Sequence, residues 1–297
     1  MNIIDISNLT KDYGEGKGIF DISISIKKGE VYGYLGPNGA GKSTTLRHLM
    51  GFGKADSGSA SIMGMDCWKE QKKIQPHLGY LPGEISFPDD MTGEKYLKLI
   101  SKMRGMRDFT CAQRLLDMFD INPRAGIKRM SKGMKQKIGI TAAFMHDPEI
   151  ILLDEPTSGL DPLMQNKFIS LLEEEKSKGK TIIMSSHIFE EVEKTCDRIG
   201  MIKNGRIIQE ISVEELTRSK MKTYTAELSD ELSARRLYEK YPGAVCDKNR
   251  ITLSINDSEL NEFIRHLAQY DVLSLNEEKH TLEEYFMKFY GGDSKNV

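Results

Sequence analysis

Long apolar runs are missing from this chain of 297 residues. No 18 consecutive positions are apolar and the mean hydropathy is −0.44, so no segment reads as a bilayer-spanning helix and any membrane role requires a partner. An excess of one charge is missing as well. The 42 Lys and Arg residues stand against 44 Asp and Glu, for a formal net charge of −2, which leaves no global basic field to draw in nucleic acid or anionic lipid. Cysteine is sparse: Cys67, Cys111, Cys196 and Cys246 are isolated and lack metal-ligand spacing. Four scattered thiols suit a reducing compartment rather than a disulfide framework. The opening MNIIDISNLTKDYG carries Asp5 and Lys11 where a secretory signal needs a basic start and then an apolar stretch, so the expectation is a mature protein facing the cytoplasm.

What is present is ordinary globular composition, 39% hydrophobic and 29% charged with 26 Gly and 9 Pro. At about 150 residues per domain the length predicts two domains, each large enough for its own core. Near the start, Ile22, Ile24 and Ile26 interleave with Ser23 and Ser25, and VYGYL at 31–35 runs into glycines, predicting antiparallel strands that feed one buried strand. From 94 to 119 the period becomes helical, with Tyr96, Leu97, Ile100 and Met103, then Leu115, Leu116 and Phe119, which predicts an inserted helical subdomain over about 84–147. Apolar runs IILL at 150–153 and TIIM at 181–184 flank a Glu- and Lys-rich helix, the βαβ rhythm of a parallel sheet. The core is therefore α/β. A capping box of Ser212 with Glu215 precedes a change of texture, and the boundary is placed to give domains 1–217 and 218–297. The second reads βαββαβα, an order that a small ferredoxin-like α+β domain satisfies.

Chemistry is concentrated in three places. Gly36, Pro37, Asn38, Gly39, Ala40, Gly41, Lys42 and Ser43 spell GPNGAGKS between a strand and the helix-prone run STTLRHLM, and with Thr44 they are the candidate nucleotide-binding residues. Glycines there let successive N–H groups turn inward as a phosphate cradle, with Lys42 for the β and γ phosphates and the Ser43 hydroxyl for Mg²⁺. The strand IILL ends in Asp154 and Glu155, acids that are costly at a sheet edge unless they meet a cation or water. Asp154 suits the Mg²⁺ shell, and Glu155 suits the base that polarises an attacking water. His187 closes the second apolar strand, where on its own it reads as structural more readily than as catalytic.

The P-loop at 36–43, MSKGMKQK at 130–137, LLDEPTSGLD at 152–161 and His187 come in the order and spacing of the ATP-binding cassette (ABC) family, and residues 1 to about 215 resemble its nucleotide-binding subunits. The resemblance implies ATP and Mg²⁺ as cofactors. It also implies that Tyr13 stacks on adenine, that His187 senses the γ-phosphate, and that Asp161 reaches an opposite subunit. Ser131 and Gly133 match the signature segment, which in the family completes the ATP site of a second subunit, so two nucleotides are sandwiched head to tail. ATP then favours the closed dimer and hydrolysis loosens it, because the γ-phosphate is what the signature helix complements.

The pattern departs from the family at two places. Lys132 and Met134 replace a Gly and the Gln of the usual signature, a variant similar to that of exporters with ABC-2 type membrane subunits. Gly83 in LGYLPGE stands where the family has a Gln that contacts Mg²⁺, with Glu84 beside it as a substitute ligand. The tail TLEEYFMKFYG at 281–291 resembles the end of drug- and antibiotic-exporter subunits and reads equally as an ordinary amphipathic helix. The expectation is an ATP hydrolase that is peripheral on the inner face of the cell membrane. It pairs with a second nucleotide-binding subunit and with a separate polytopic permease, without nucleic acid. A soluble ABC ATPase outside transport and a weakly hydrolysing regulatory subunit of a heterodimer are the alternatives. Phe87 and Met91, in the turn-rich stretch 83–95, are expected either at the permease contact or packed beneath the helical lobe.

Overall fold

The computed structural model describes residues 1–88, 90–218, 222–256, 259–278 and Phe286. The chain falls into two compact units, Met1–Val213 and Glu214–Val297.

The first unit opens on an antiparallel sheet of β1 (Asn2–Asp12), β2 (Gly18–Lys27), β4 (Ser57–Ile62) and β5 (Met65–Asp66), ordered β2-β1-β4-β5. Ile22, Ile24 and Ile26 are buried while Ser23 and Ser25 are exposed, the period of two that a half-covered sheet imposes. β3 (Val31–Leu35) is buried at all five positions, as a strand covered on both faces must be. It leads through the glycine loop into α1 (Lys42–Leu49). After α2 (Gln71–Ile74) comes β6 (Leu78–Leu81). The helical lobe follows: α3 (Gly93–Met103), α4 (Thr110–Met118) and α5 (Lys132–Phe144).

The remaining elements complete a second sheet. β7 (Ile150–Asp154), α6 (Pro162–Ser177), β8 (Thr181–Ser186), α7 (Phe189–Thr195), β9 (Arg198–Lys203) and β10 (Arg206–Ser212) follow in turn, and α8 (Val213–Arg218) runs from the end of this unit into the next. Its order is β10-β9-β3-β8-β7-β6. Its pairs are parallel except β9 with β10. β3 therefore sits centrally, and the loops after β3, β7 and β8 all leave the same carboxyl edge, where doubly wound sheets bind ligands.

The second unit contains β11 (Lys222–Leu228), α9 (Glu231–Tyr238), β12 (Val245–Asp247), β13 (Arg250–Ile255), α10 (Leu260–Leu267) and β14 (Val272–Glu278). Its sheet is antiparallel, ordered β12-β13-β11-β14. Tyr224, Ala226, Leu228, Ile251, Leu253 and Ile255 face Leu237, Phe263 and Leu267 in a separate apolar core. The tail at 281–291, Phe286 apart, lies outside the described residues.

Candidate nucleotide site

The glycine loop is conformationally demanding. Gly39 and Gly41 have φ of 80° and 110°, a region closed to most side chains, and Gly41 is the N-cap of α1 without any side-chain cap. The N–H groups of the first turn are thus left for an anion, assisted by the helix dipole. Lys42 is 5% exposed. Its Nζ donates to the carbonyls of Gly36 at 2.6 Å and Pro37 at 3.1 Å and lies 3.7 Å from Glu155 Oε1. Burial lowers the ammonium's pKa from its ordinary value, against the opposing pull of Glu155 and Asp154; a phosphate at the loop would compensate that burial.

The two strand-end acids are held by one hydroxyl. Asp154 is 3% exposed, and the Ser185 hydroxyl donates to its Oδ1 at 2.5 Å. The Glu155 N–H donates to Ser185 Oγ at 3.1 Å and to the Ser185 carbonyl at 3.2 Å. Glu155 has φ of 47°, a left-handed conformation that costs a non-glycine residue about 1 kcal/mol or more and persists only where neighbours hold it. The result aims its carboxylate back at the loop, with Oε1 3.3 Å from His187 Nδ1 as well as 3.7 Å from Lys42 Nζ. Strands β3, β7 and β8 thereby bring Lys42, Asp154, Glu155 and His187 to one edge.

Beside them lies a cleft of about 330 Å³ lined by Tyr13, Lys17, Asn38, Lys42, Thr44 and Glu155, among others that include Ser43. Tyr13 is 61% exposed, an open ring at the rim of the cleft. Ser131, Gly133 and Asp161 do not line it. Ser131 is the exposed N-cap of α5, accepting the Met134 N–H at 3.2 Å, and Asp161 caps α6 by accepting the Met164 N–H at 3.0 Å. Glu84 is exposed in the turn after β6. A Cβ on Gly83 would stand 3.2 Å from Asp154 Oδ2, so the absent side chain leaves room directly beside that buried carboxylate. Phe87 finds cover within the lobe, its ring edge-on to Tyr96 at 4.8 Å and 80°.

Reading motifs did not find Ser185 or Gln136. Ser185 was hidden in a buried strand. Gln136 is 3% exposed on α5 and donates its amide to the carbonyls of Pro156 at 2.7 Å and Glu155 at 3.3 Å; its only trace in the sequence is a polar residue among the apolar positions of a helix.

A glycine-rich phosphate loop opening a helix, a lysine folded into it, and a strand-end acid pair beside a histidine define a P-loop nucleotide-binding ATPase. A family model described as ABC transporter matches residues 19–158, and one described as an AAA domain, putative AbiEii toxin, Type IV TA system, matches residues 127–193. The bacitracin transport ATP-binding protein BcrA of Bacillus licheniformis is 33% identical over 310 residues, covering 98% of each chain. The linearmycin resistance ATP-binding protein LnrL of Bacillus subtilis (strain 168) is 39% identical over 211 residues, 69% of this chain and 68% of that one. A solved ATP binding subunit of an ABC transporter superposes with a TM-score of 0.66 at 29% identity, over 73% of this chain and 92% of the other. The chain belongs to the ABC transporter family, among its ATP-binding proteins.

Proposed function

We propose that this chain binds and hydrolyses ATP to drive export through a separate membrane subunit, with drug- or antibiotic-like cargo as in the proteins named above. The observation that carries the hydrolytic reading is that Lys42 and His187 both lie within 3.7 Å of Glu155 Oε1 at the phosphate loop. Glu155 acts as the general base on the attacking water, Lys42 holds the β and γ phosphates, and His187 meets the γ-phosphate. Tyr13 carries the adenine, and the N–H groups of Gly39, Gly41 and the first turn of α1 carry the phosphates, with the Ala40 N–H held by the Pro37 carbonyl at 3.2 Å.

Asp154 and Ser43 are the residues that fit Mg²⁺. A buried carboxylate and a hydroxyl suit a hard cation, and Gly83 leaves space beside Asp154 Oδ2. Among the described residues no cluster of three or more His, Cys, Asp or Glu forms a dedicated metal cage, consistent with an ion that shares its shell with substrate phosphates and water. Bound there, Mg²⁺ would neutralise phosphate charge. Glu84 is an additional ligand by water.

Ser131, Gly133 and Asp161 serve a second nucleotide-binding subunit, since they stand apart from the cleft of their own chain. Among the described residues no helix is long and apolar enough to cross a membrane, so the permease is a separate chain. The subunit would then sit on the cytoplasmic face. The 1–217 portion is the ATPase domain, with the lobe near 84–147, and 218–297 is an accessory domain whose strand order β12-β13-β11-β14 with two helices supports a ferredoxin-like arrangement.

The test is Glu155→Gln. It is expected to keep ATP binding, stop phosphate release, and leave an ATP-trapped dimer visible by light scattering; hydrolysis at the wild-type rate would overturn the assignment of the base.

A further inference from the structure

Glu155 is held from two sides. On its N-terminal side the N–H is bound by Ser185 of β8. On its C-terminal side the carbonyls of Glu155 and Pro156 both accept from the single amide nitrogen of Gln136. That nitrogen has two hydrogens, and both are used. The Gln136 side chain belongs to α5, the helix whose N-cap is Ser131. The first turn of α5 touches the same 155–159 segment at two further points. Lys132 Nζ donates to Ser158 Oγ at 2.8 Å, and Gly133 approaches so closely that a Cβ would lie 2.6 Å from the Gly159 carbonyl oxygen. Three contacts make the start of α5 and the turn after Glu155 one body. Of the three, only the Gln136 contact reaches the peptide of Glu155 itself, and its bond to the Pro156 carbonyl is buried.

From this we infer that Gln136 is a positioning residue for Glu155, the buried tie through which the placement of the α5 N-terminus sets the aim of the carboxylate that activates water. The inference rests on the reading of Glu155 as general base. The chemistry is specific. A left-handed residue relaxes unless its flanking peptides are pinned, and here the pins are an N–H taken by Ser185, the Pro156 carbonyl taken by Gln136, and the Glu155 carbonyl shared between Gln136 and the Ser158 N–H. Without the amide, the Pro156 carbonyl loses its buried donor and the Glu155 carbonyl keeps only the Ser158 N–H at 3.1 Å. The Glu155–Pro156 peptide then keeps only the Ser158 bond on that side, its tilt is less tightly fixed, and the carboxylate shifts from its place 3.3 Å from His187 and 3.7 Å from Lys42. The phosphate loop, on the other side of the site, has no bond to Gln136 and keeps its affinity. A residue that only filled the core would instead lower stability without a selective effect on the chemical step.

Full-length wild type, Gln136→Leu, Gln136→Glu, Glu155→Gln and the Glu155→Gln/Gln136→Leu double variant decide the matter by thermal midpoint, ATP dissociation constant, kcat and KM. Gln136→Leu is expected to lower kcat at least about tenfold while KM and the ATP dissociation constant stay within about twofold. In the Glu155→Gln background the same change should cost nothing more, because the group it positions is gone. Gln136→Glu keeps the shape, yet its ionised carboxylate accepts where donors are needed. It should lose turnover at pH 8 and regain part of it relative to wild type at pH 6, as the buried carboxyl takes up a proton and donates. This second variant decides the question if Gln136→Leu fails to fold. Three results overturn the proposal: a folded Gln136 variant turning over within about twofold of wild type at pH 8, affinity falling in step with kcat, or losses that multiply in the double variant. A Glu155→Gln chain that hydrolyses at the wild-type rate removes the base itself, and the proposal with it, and is distinguished by that arm alone.

Discussion

At the scale of single residues, Lys42 shows how burial prepares a group for its ligand. Its ammonium is enclosed, neutralised only in part by a carboxylate 3.7 Å away, and folded onto two loop carbonyls. Lys42→Ala is expected to weaken ATP binding about 10- to 100-fold, the worth of charge-assisted hydrogen bonds to phosphate; titration with a fluorescent ATP analogue checks it. The pH dependence follows in sign. Because the free protein holds the Lys42 pKa below 10.5 by burial, the unfolded chain binds more protons in the window between the two values, and Lys42 makes stability rise with pH there. Bound phosphate raises that pKa again, so ATP affinity is full below the free-protein value and falls as pH rises through it, with proton uptake on binding. Calorimetry in two buffers of different ionisation enthalpy measures that uptake. Lys42 and Ser43 are legible in the sequence because one contiguous octapeptide carries them. Ser185 and Gln136 are not, since their partners lie 31 and 20 positions away, and only the sheet and the lobe bring them together.

Elements repeat the contrast. The apolar runs that became β7 and β8 and the alternation of β2 are visible because burial on two faces, or on one, writes a period into the chain. β9 and β10 are not visible in the same way: RIGMIK and RIIQEIS mix charge into an edge that pairs antiparallel with an otherwise parallel sheet, so no clean period survives. The turn-rich stretch after β6 left two places open for Phe87, and an edge-on contact with Tyr96 puts its ring in the lobe. The start of α5 is the element whose position matters most for function. Ser131 caps it while remaining exposed, and it does not line the cleft at its own phosphate loop. Ser131→Arg is expected to abolish ATP-driven dimerisation in the Glu155→Gln background while the monomer binds ATP within about twofold of its parent. Ser131→Thr, which retains a capping hydroxyl worth about 1 kcal/mol, should dimerise. Light scattering with and without ATP reads both, and loss of monomer binding in the Arg variant would place Ser131 in its own chain's site.

For the whole molecule the question is how much of the chain the ATP site needs. The phosphate loop, both acids, His187 and Gln136 all fall in the unit Met1–Val213, and the unit from Glu214 onward has a core of its own around Tyr224, Leu237, Ile251 and Phe263. Hydrogen bonds fix where the first unit can be cut. β10 closes the edge of the parallel sheet through pairs from Arg206 with Lys203 to Ser212 with Arg198. Glu210 on that strand takes the hydroxyl of buried Tyr32 at 2.6 Å and Arg198 at 3.0 Å, and the Val213 N–H reaches the Asp197 carbonyl at 2.9 Å. A chain of residues 1–217 keeps every one of these bonds and is expected to fold cooperatively and bind ATP within about twofold of the full-length protein. A chain of residues 1–205 removes β10 and leaves the Tyr32 hydroxyl, in a residue 1% exposed, without its acceptor. An orphaned buried donor costs about 1–3 kcal/mol before the lost strand is counted, so this shorter chain should melt several degrees lower or fail to fold. Thermal melts and ATP titrations of both fragments separate the cases: equal loss in the two would mean that the residues after 217 share the core of the ATPase, whereas loss confined to the shorter one sets the end of that domain just past β10.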